Sequence, residues 1–213
     1  MTSEKSQSGD VQRLAALSDG IFAVAMTLLA YNVHVPNAPL NDRQLGFELV
    51  RMLNEGSGLL MSFAVAAMFW MSHFQLFRSI QQADSIFGLI NFGQLFSIVL
   101  LPISTSFYFS FGSNKAAAVT YGANLALLSA LNILLWVYAV RKRWLPGFDP
   151  RFPGILLDLT PGVYSLLLFL GGLAVIPWRP AAAQVFWITA FGAPLVRRLV
   201  DALRARRGHR NPE

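Results

Sequence analysis

The chain has 213 residues, of which 54% are hydrophobic and 13% charged, and its mean hydropathy is +0.48. That balance exceeds what a soluble domain of this size carries and points to a membrane protein. With no Cys, disulfides and thiolate metal sites are excluded. A net charge of +6 would suit nucleic acid, but its placement along the chain fits membrane topology better.

Residues 1–10, rich in Ser, Gln, Glu and Lys, read as a polar, frayed cytoplasmic N-terminus, and no cleavage-site pattern follows. Six windows without Asp, Glu, Lys or Arg come next, at 20–41, 56–77, 85–114, 116–140, 159–178 and 180–196. About twenty apolar residues span a bilayer. The expected fold is therefore an all-α membrane protein with six transmembrane helices in one domain over 11–206, followed by a cytoplasmic tail over 207–213.

Helix one is predicted from about Val11 to His34, stopped by the Pro36-Asn37-Ala38-Pro39 turn. Helix two opens with a polar, amphipathic stretch over 41–55 at or above the outer interface and continues to about Arg78. Helix three, about Asp84 to Phe111, contains Asn91, Gln94 and an internal Pro102 that frees a backbone carbonyl. Helix four runs from about Lys115 to Arg141, and Arg141-Lys142-Arg143 with Pro146, Gly147, Pro150 and Pro153 forms the one substantial cytoplasmic loop. Helices five and six, with Asp158, Pro161, Gly171, Gly172 and Pro194, read as lipid-facing scaffold.

Assigning the connecting segments alternately to two sides puts Lys5, Arg13, Arg78, Arg141, Lys142, Arg143, Arg151, Arg197, Arg198, Arg204, Arg206, Arg207 and Arg210 with the termini. Only Arg43, Arg51, Lys115 and Arg179 fall on the other side. That bias places both termini in the cytoplasm. The basic tail from Arg197 to Arg210 lacks interleaved aromatic residues, so membrane lipid headgroups, and not nucleic acid, are its expected partner. The second half holds no copy of the Arg13–Asp19 cluster, which disfavours an inverted-repeat transporter.

Two constellations could carry function. At about 100° per residue, Gly20, Val24, Thr27, Leu28 and Tyr31 share one face of helix one. This is either an ordinary packing stripe or, repeated around an axis by several subunits, a set of stacked rings able to gate by dewetting. Beside it, Arg13, Ser18 and Asp19 on helix one and Trp70 and His73 on helix two lie at similar depth. A buried carboxylate needs Arg or an imidazole N–H, and an indole N–H needs an acceptor such as Ser18. The group is thus an interhelical polar clamp or, alternatively, a proton relay through Asp19 and His73. His73 has no second His at i+3 or i+4, so no metal site is expected. Phosphate-binding Gly-rich loops, HExxH and Gly-x-Ser-x-Gly are all missing, so no enzyme is expected either.

Arg13-x-x-x-Leu17-Ser18-Asp19-Gly20 resembles the signature Arg-x-x-x-Phe-Ser-Asp of the transmembrane protein 175 family of potassium channels. Trp70-x-x-His73-x-x-x-Phe77 and Leu101-Pro102-x-Ser104-Thr105 are similar to the motifs of its second and third helices. The resemblance implies a six-helix prokaryotic subunit of a homotetramer in the plasma membrane, with helix one lining a central pore. It further implies a potassium-selective leak channel without a bound cofactor, the permeant ion being potassium. Val24 would form the hydrophobic constriction, Leu28 and Tyr31 further pore positions, and Thr27 the selectivity element. Leu17 replaces the signature Phe, and Tyr31 stands where an aliphatic residue is usual. The alternative is a proton-permeable channel or secondary transporter using Asp19 and His73.

Overall fold

Asn41 starts the longest helix by a reciprocal cap: its side chain accepts from the Gln44 amide at 2.9 Å, and the Gln44 side chain accepts from the Asn41 amide at 3.1 Å. The computed structural model describes residues 2–32, 41–111, 114–145 and 160–192, and every regular element among them is helical. In chain order these are α1 (Thr2–Leu28, closing in a 3₁₀ turn at Leu29–Asn32), α2 (Asp42–Ser79), α3 (Ser85–Ser110) and α4 (Lys115–Arg141). Then come α5 (Thr160–Val175) and α6 (Ala183–Thr189), the latter between 3₁₀ turns at Pro180–Ala182 and Ala190–Gly192.

Among the described residues four helices are long and apolar enough to cross a membrane, and α5 is a shorter apolar helix. Six crossings were expected; the sixth window is described to Gly192, as a 3₁₀ turn that Pro180 opens, α6 and a second 3₁₀ turn in unbroken succession. The N-terminus also departs from expectation, since α1 already begins at Thr2. Glu4, Lys5 and Gln7 are good helix formers, and no Pro interrupts the segment ahead of the apolar run. The Pro36–Pro39 turn, Pro146 to Asp158, Pro194 and the tail over 207–213 lie outside the described residues.

The core lies where α1 to α4 meet, through Phe22, Val65, Phe69, Leu95, Ile98, Leu101, Tyr121, Leu125 and Leu128. α5 and α6 join it through Phe169 and Trp187. A Cβ at Gly172 would collide with the Trp187 indole, so the absent side chain is what lets α6 pack on α5. Polar pairs stitch the apolar helices together, where lipid offers no competing partner. Asn132 Nδ2 donates to Ser72 Oγ at 3.0 Å, Gln94 Nε2 to Asn132 Oδ1 at 3.2 Å, and Asn124 Nδ2 to the Ser97 carbonyl at 3.1 Å.

A second apolar cluster, with Val11, Leu76, Phe77, Ile80, Phe87, Leu135 and Val140, closes the end predicted to face the cytoplasm. Asp84 governs this corner. Its Oδ1 caps α3 by accepting from the Phe87 amide at 2.9 Å, while Oδ2 accepts from the Tyr138 hydroxyl at 2.6 Å and pairs with Lys142 Nζ at 3.2 Å. α4 ends here with Arg143 in the left-handed region (φ 58°) and the Trp144 amide donating back to the Ala139 carbonyl at 3.0 Å. Partial desolvation pushes the Asp84 carboxyl up, but Tyr138, the Phe87 amide and Lys142 together outweigh it and hold the pKa below the ordinary carboxylate value. Lys142 is raised in turn, first by its hydrogen bond to Asp84 and then by Tyr138.

The sign follows from linkage. A depressed carboxylate stabilises the fold fully above its unfolded pKa, and that contribution is lost as pH falls through the folded value. Asp84→Asn should therefore lower the thermal midpoint at neutral pH. The difference from the parent should disappear in acid below the ordinary carboxylate range, as followed by differential scanning fluorimetry in detergent.

Candidate functional site

α1 divides into two sides. Val11, Ser18, Phe22, Ala25 and Leu29 recur at helical spacing and are buried against the rest of the chain. On the other side, Gly20, Val24, Thr27, Leu28 and Tyr31 are left uncovered, with Val24 58% and Tyr31 82% exposed. The sequence-predicted face is thus the one that the subunit does not pack. Thr27 Oγ1 donates its hydrogen to the Val24 carbonyl at 2.8 Å, which leaves the lone pairs of that oxygen free to accept. Leu28 and Tyr31 also edge an open groove against α3, formed with Pro102, Ile103, Ser106 and Phe107.

The rotation of α1 is fixed by polar contacts. Trp70 Nε1 donates to Asp19 Oδ1 at 2.8 Å. Ser18, fully buried, donates its only hydrogen to the Leu14 carbonyl at 2.8 Å, so its oxygen must accept from Asn91 Nδ2 at 3.1 Å. That bond orients the Asn91 amide with Oδ1 toward His73, and His73 Nε2, 2.8 Å away, is therefore the protonated nitrogen. The His73 ring stacks on Phe77 at 4.2 Å and meets Phe22 at 5.6 Å, while Trp70 stacks on Phe74 at 5.4 Å.

Three details differ from the sequence reading. The acceptor for the indole is Asp19 and not Ser18, because Ser18 faces α3 while Asp19, 100° further round, faces α2. His73 bonds to Asn91 and not to Asp19, so Asn91 is a member of the clamp that sequence reasoning missed. Its signal was a lone amide within an apolar, charge-free helix, where a polar side chain requires an interhelical partner. Arg13 is exposed and makes no ion pair among the described residues, and Leu17 is exposed as well. His34 and His209 lie outside the described residues.

Among the described residues, four helices long and apolar enough to cross a membrane, with one face of α1 left uncovered, define a multi-pass helical membrane protein. Residues 13–102 match the family described as the endosomal/lysosomal potassium channel TMEM175. A potassium channel of Streptomyces collinus is 27% identical over 143 residues, which cover 65% of this chain and 68% of that one. The endosomal/lysosomal proton channel TMEM175 of Bos taurus is 31% identical over 100 residues, covering 44% of this chain and 21% of that protein. A lysosomal potassium-selective channel TMEM175 homolog from Chamaesiphon minutus has the same fold, with a TM-score of 0.74, 21% identity and coverage of 89% and 98% of the two chains. Over residues 13–102, and in its fold, the chain is similar to the TMEM175 ion channels.

The bridging role of Asn91 has a measurable consequence. Ser18→Ala leaves the Asn91 N–H buried without an acceptor, at about 1–3 kcal/mol, and Asn91→Ala strands the His73 N–H at a similar cost while also opening a cavity. Asn91→Ala should therefore lower the thermal midpoint more than Ser18→Ala, measured by heating purified protein and following its size-exclusion peak.

Proposed function

We propose that this chain assembles as a homotetramer with α1 around a central axis and conducts potassium passively across a prokaryotic plasma membrane, with both termini in the cytoplasm. The observation that carries the reading is the face of α1 itself: Gly20, Val24, Thr27, Leu28 and Tyr31 lie on the side that the subunit leaves open, opposite the clamp that holds the helix. Around a four-fold axis that face would give stacked rings. Val24 forms the narrowest hydrophobic ring, with Leu28 and Tyr31 above it, and a ring of this kind resists wetting. Thr27 supplies oxygens whose hydrogens are already donated to Val24 carbonyls, so they accept part of a permeant cation's shell. The names of the bacterial relative and of the matching family support potassium as the ion.

Proton permeation is the second reading, favoured by the name of the bovine relative. In this chain it is better served by pore water than by a relay of Asp19 and His73. Asp19 is bonded to an indole and His73 to an amide, and neither partner exchanges protons near neutrality.

Val24→Ala should widen the ring, ease its wetting and raise current several-fold in planar-bilayer recordings; unchanged current would remove Val24 from the constriction. Thr27→Val keeps the shape and deletes the oxygen. Under bi-ionic potassium/sodium conditions its reversal potential should move toward zero, and a value equal to the parent's would exclude Thr27 from selectivity.

A further inference from the structure

Helix α2 is far longer than a membrane requires. Its 38 residues rise about 57 Å at 1.5 Å per residue, against about 30 Å of hydrocarbon. With the Arg78 end at one membrane surface, roughly the first fifteen residues stand beyond the other. This extension is no frayed end, since the Asn41–Gln44 cap specifies where it begins.

The two sides of α2 change character along its length. Lower down, the side that packs on the rest of the chain carries Ser62, Val65, Phe69, His73 and Leu76, all buried. Continued upward at 100° per residue, that side holds Gln44, Phe47 and Arg51, which are exposed. From Leu45 to Phe63 the opposite side is apolar, with Asp42 one heptad step before it. Leu45, Leu49, Met52, Gly56, Leu59 and Phe63 follow one another at intervals of four, three, four, three and four, the a/d spacing of a heptad, with Leu53 and Leu60 on its edge. Leu45, Leu49, Leu60 and Phe63 are exposed, and Leu53 is 74% exposed. A handle meant for water would be polar on both sides. A handle meant for lipid would not rise past the hydrocarbon.

We propose that the heptad face of the α2 extension packs against the same face of another copy of this chain, outside the hydrocarbon and above the pore. The inference rests on the tetrameric reading given above and names a contact which that reading does not contain. Subunits related by an axis along the membrane normal present their α2 helices parallel and in register, the arrangement in which a and d residues meet their own copies. Between Leu45 and Phe63 charge does not oppose the contact, because Arg51 Nε is already paired with Glu48 Oε2 at 2.7 Å on the other side of the helix, and Asp42 lies at the outer end where the copies can splay. The surface commits to a second copy because a heptad repeat specifies a helix of matching repeat, and α3 and α4 pack on the other side of α2, through Ser62 and His73.

The test uses the absence of native Cys. Leu49→Cys, Leu45→Cys one turn away on the same face, and Phe47→Cys on the opposite side are reconstituted in lipid nanodiscs. Each is treated with a thiol-specific bifunctional reagent that spans only neighbouring helices, and the mass of the untreated particle is measured in parallel. A tetrameric mass with a ladder of cross-linked oligomers from Leu49→Cys and Leu45→Cys, and none from Phe47→Cys, is the expected result. A tetrameric mass without those cross-links, or with equal cross-linking at Phe47→Cys, overturns the α2 contact while leaving the tetramer standing, and gives the face to lipid headgroups or another partner. A monomeric mass overturns both.

Discussion

The bridge from Ser18 through Asn91 to His73 decides what the rest of the subunit can do. Three polar side chains from α1, α3 and α2 meet in full burial, where an unpaired donor would find no water. Their hydrogen-bond directions are determined one after another, beginning with the single Ser18 hydrogen given to the Leu14 carbonyl. Apolar packing alone would let α1 roll, because a Leu, Val or Ala stripe offers similar dispersion contacts at neighbouring angles. The bridge removes that freedom, and the Trp70–Asp19 bond fixes the same turn of α1 from the side of α2. With the helix held there, Phe22, Ala25 and Leu29 enter the core, and Val24, Thr27 and Leu28 are turned away from it.

The same economy recurs in the other helices. Among apolar segments in lipid there is little hydrophobic gain in choosing one neighbour over another, so the amides and hydroxyls set the register. Asn132 with Ser72 and Gln94, Asn124 with Ser97, and Tyr121 with Ser62 at 3.1 Å each join two helices that would otherwise be interchangeable. Close approach does the rest: the bare face of Gly172 admits Trp187, which hydropathy cannot anticipate. At the membrane surface the task passes to charge, where Asp84 ties the start of α3 to the end of α4.

Much of this was legible in the chain. The charge-free windows gave α4 to the residue and α3 to within one, because Asp84, Asn114 and the flanking Lys and Arg mark those ends chemically. The stripe on α1 followed from angular spacing, but spacing did not decide whether it packs inside the subunit, and the structure leaves it uncovered. Partners within the clamp were less legible, since a sequence says that the Trp70 indole needs an acceptor but not which of two adjacent residues points at it. Asn91 was read as part of helix three without a role, because its partners lie 73 and 18 positions away along the chain. The helical start at Thr2 was hidden by composition, as polar residues that suit a frayed end also suit a solvated helix.

The central claim is that the side of α1 turned away from the clamp lines the conduction path. Single-Cys variants along α1 in the Cys-free chain, treated with a charged, membrane-impermeant thiol reagent during bilayer recording, test it most directly. Modification should reduce the current at Val24, Leu28 and Tyr31 and leave it unchanged at Phe22, Ala25 and Leu29. Block at the buried positions with none at the exposed ones, or no positional pattern at all, would contradict it.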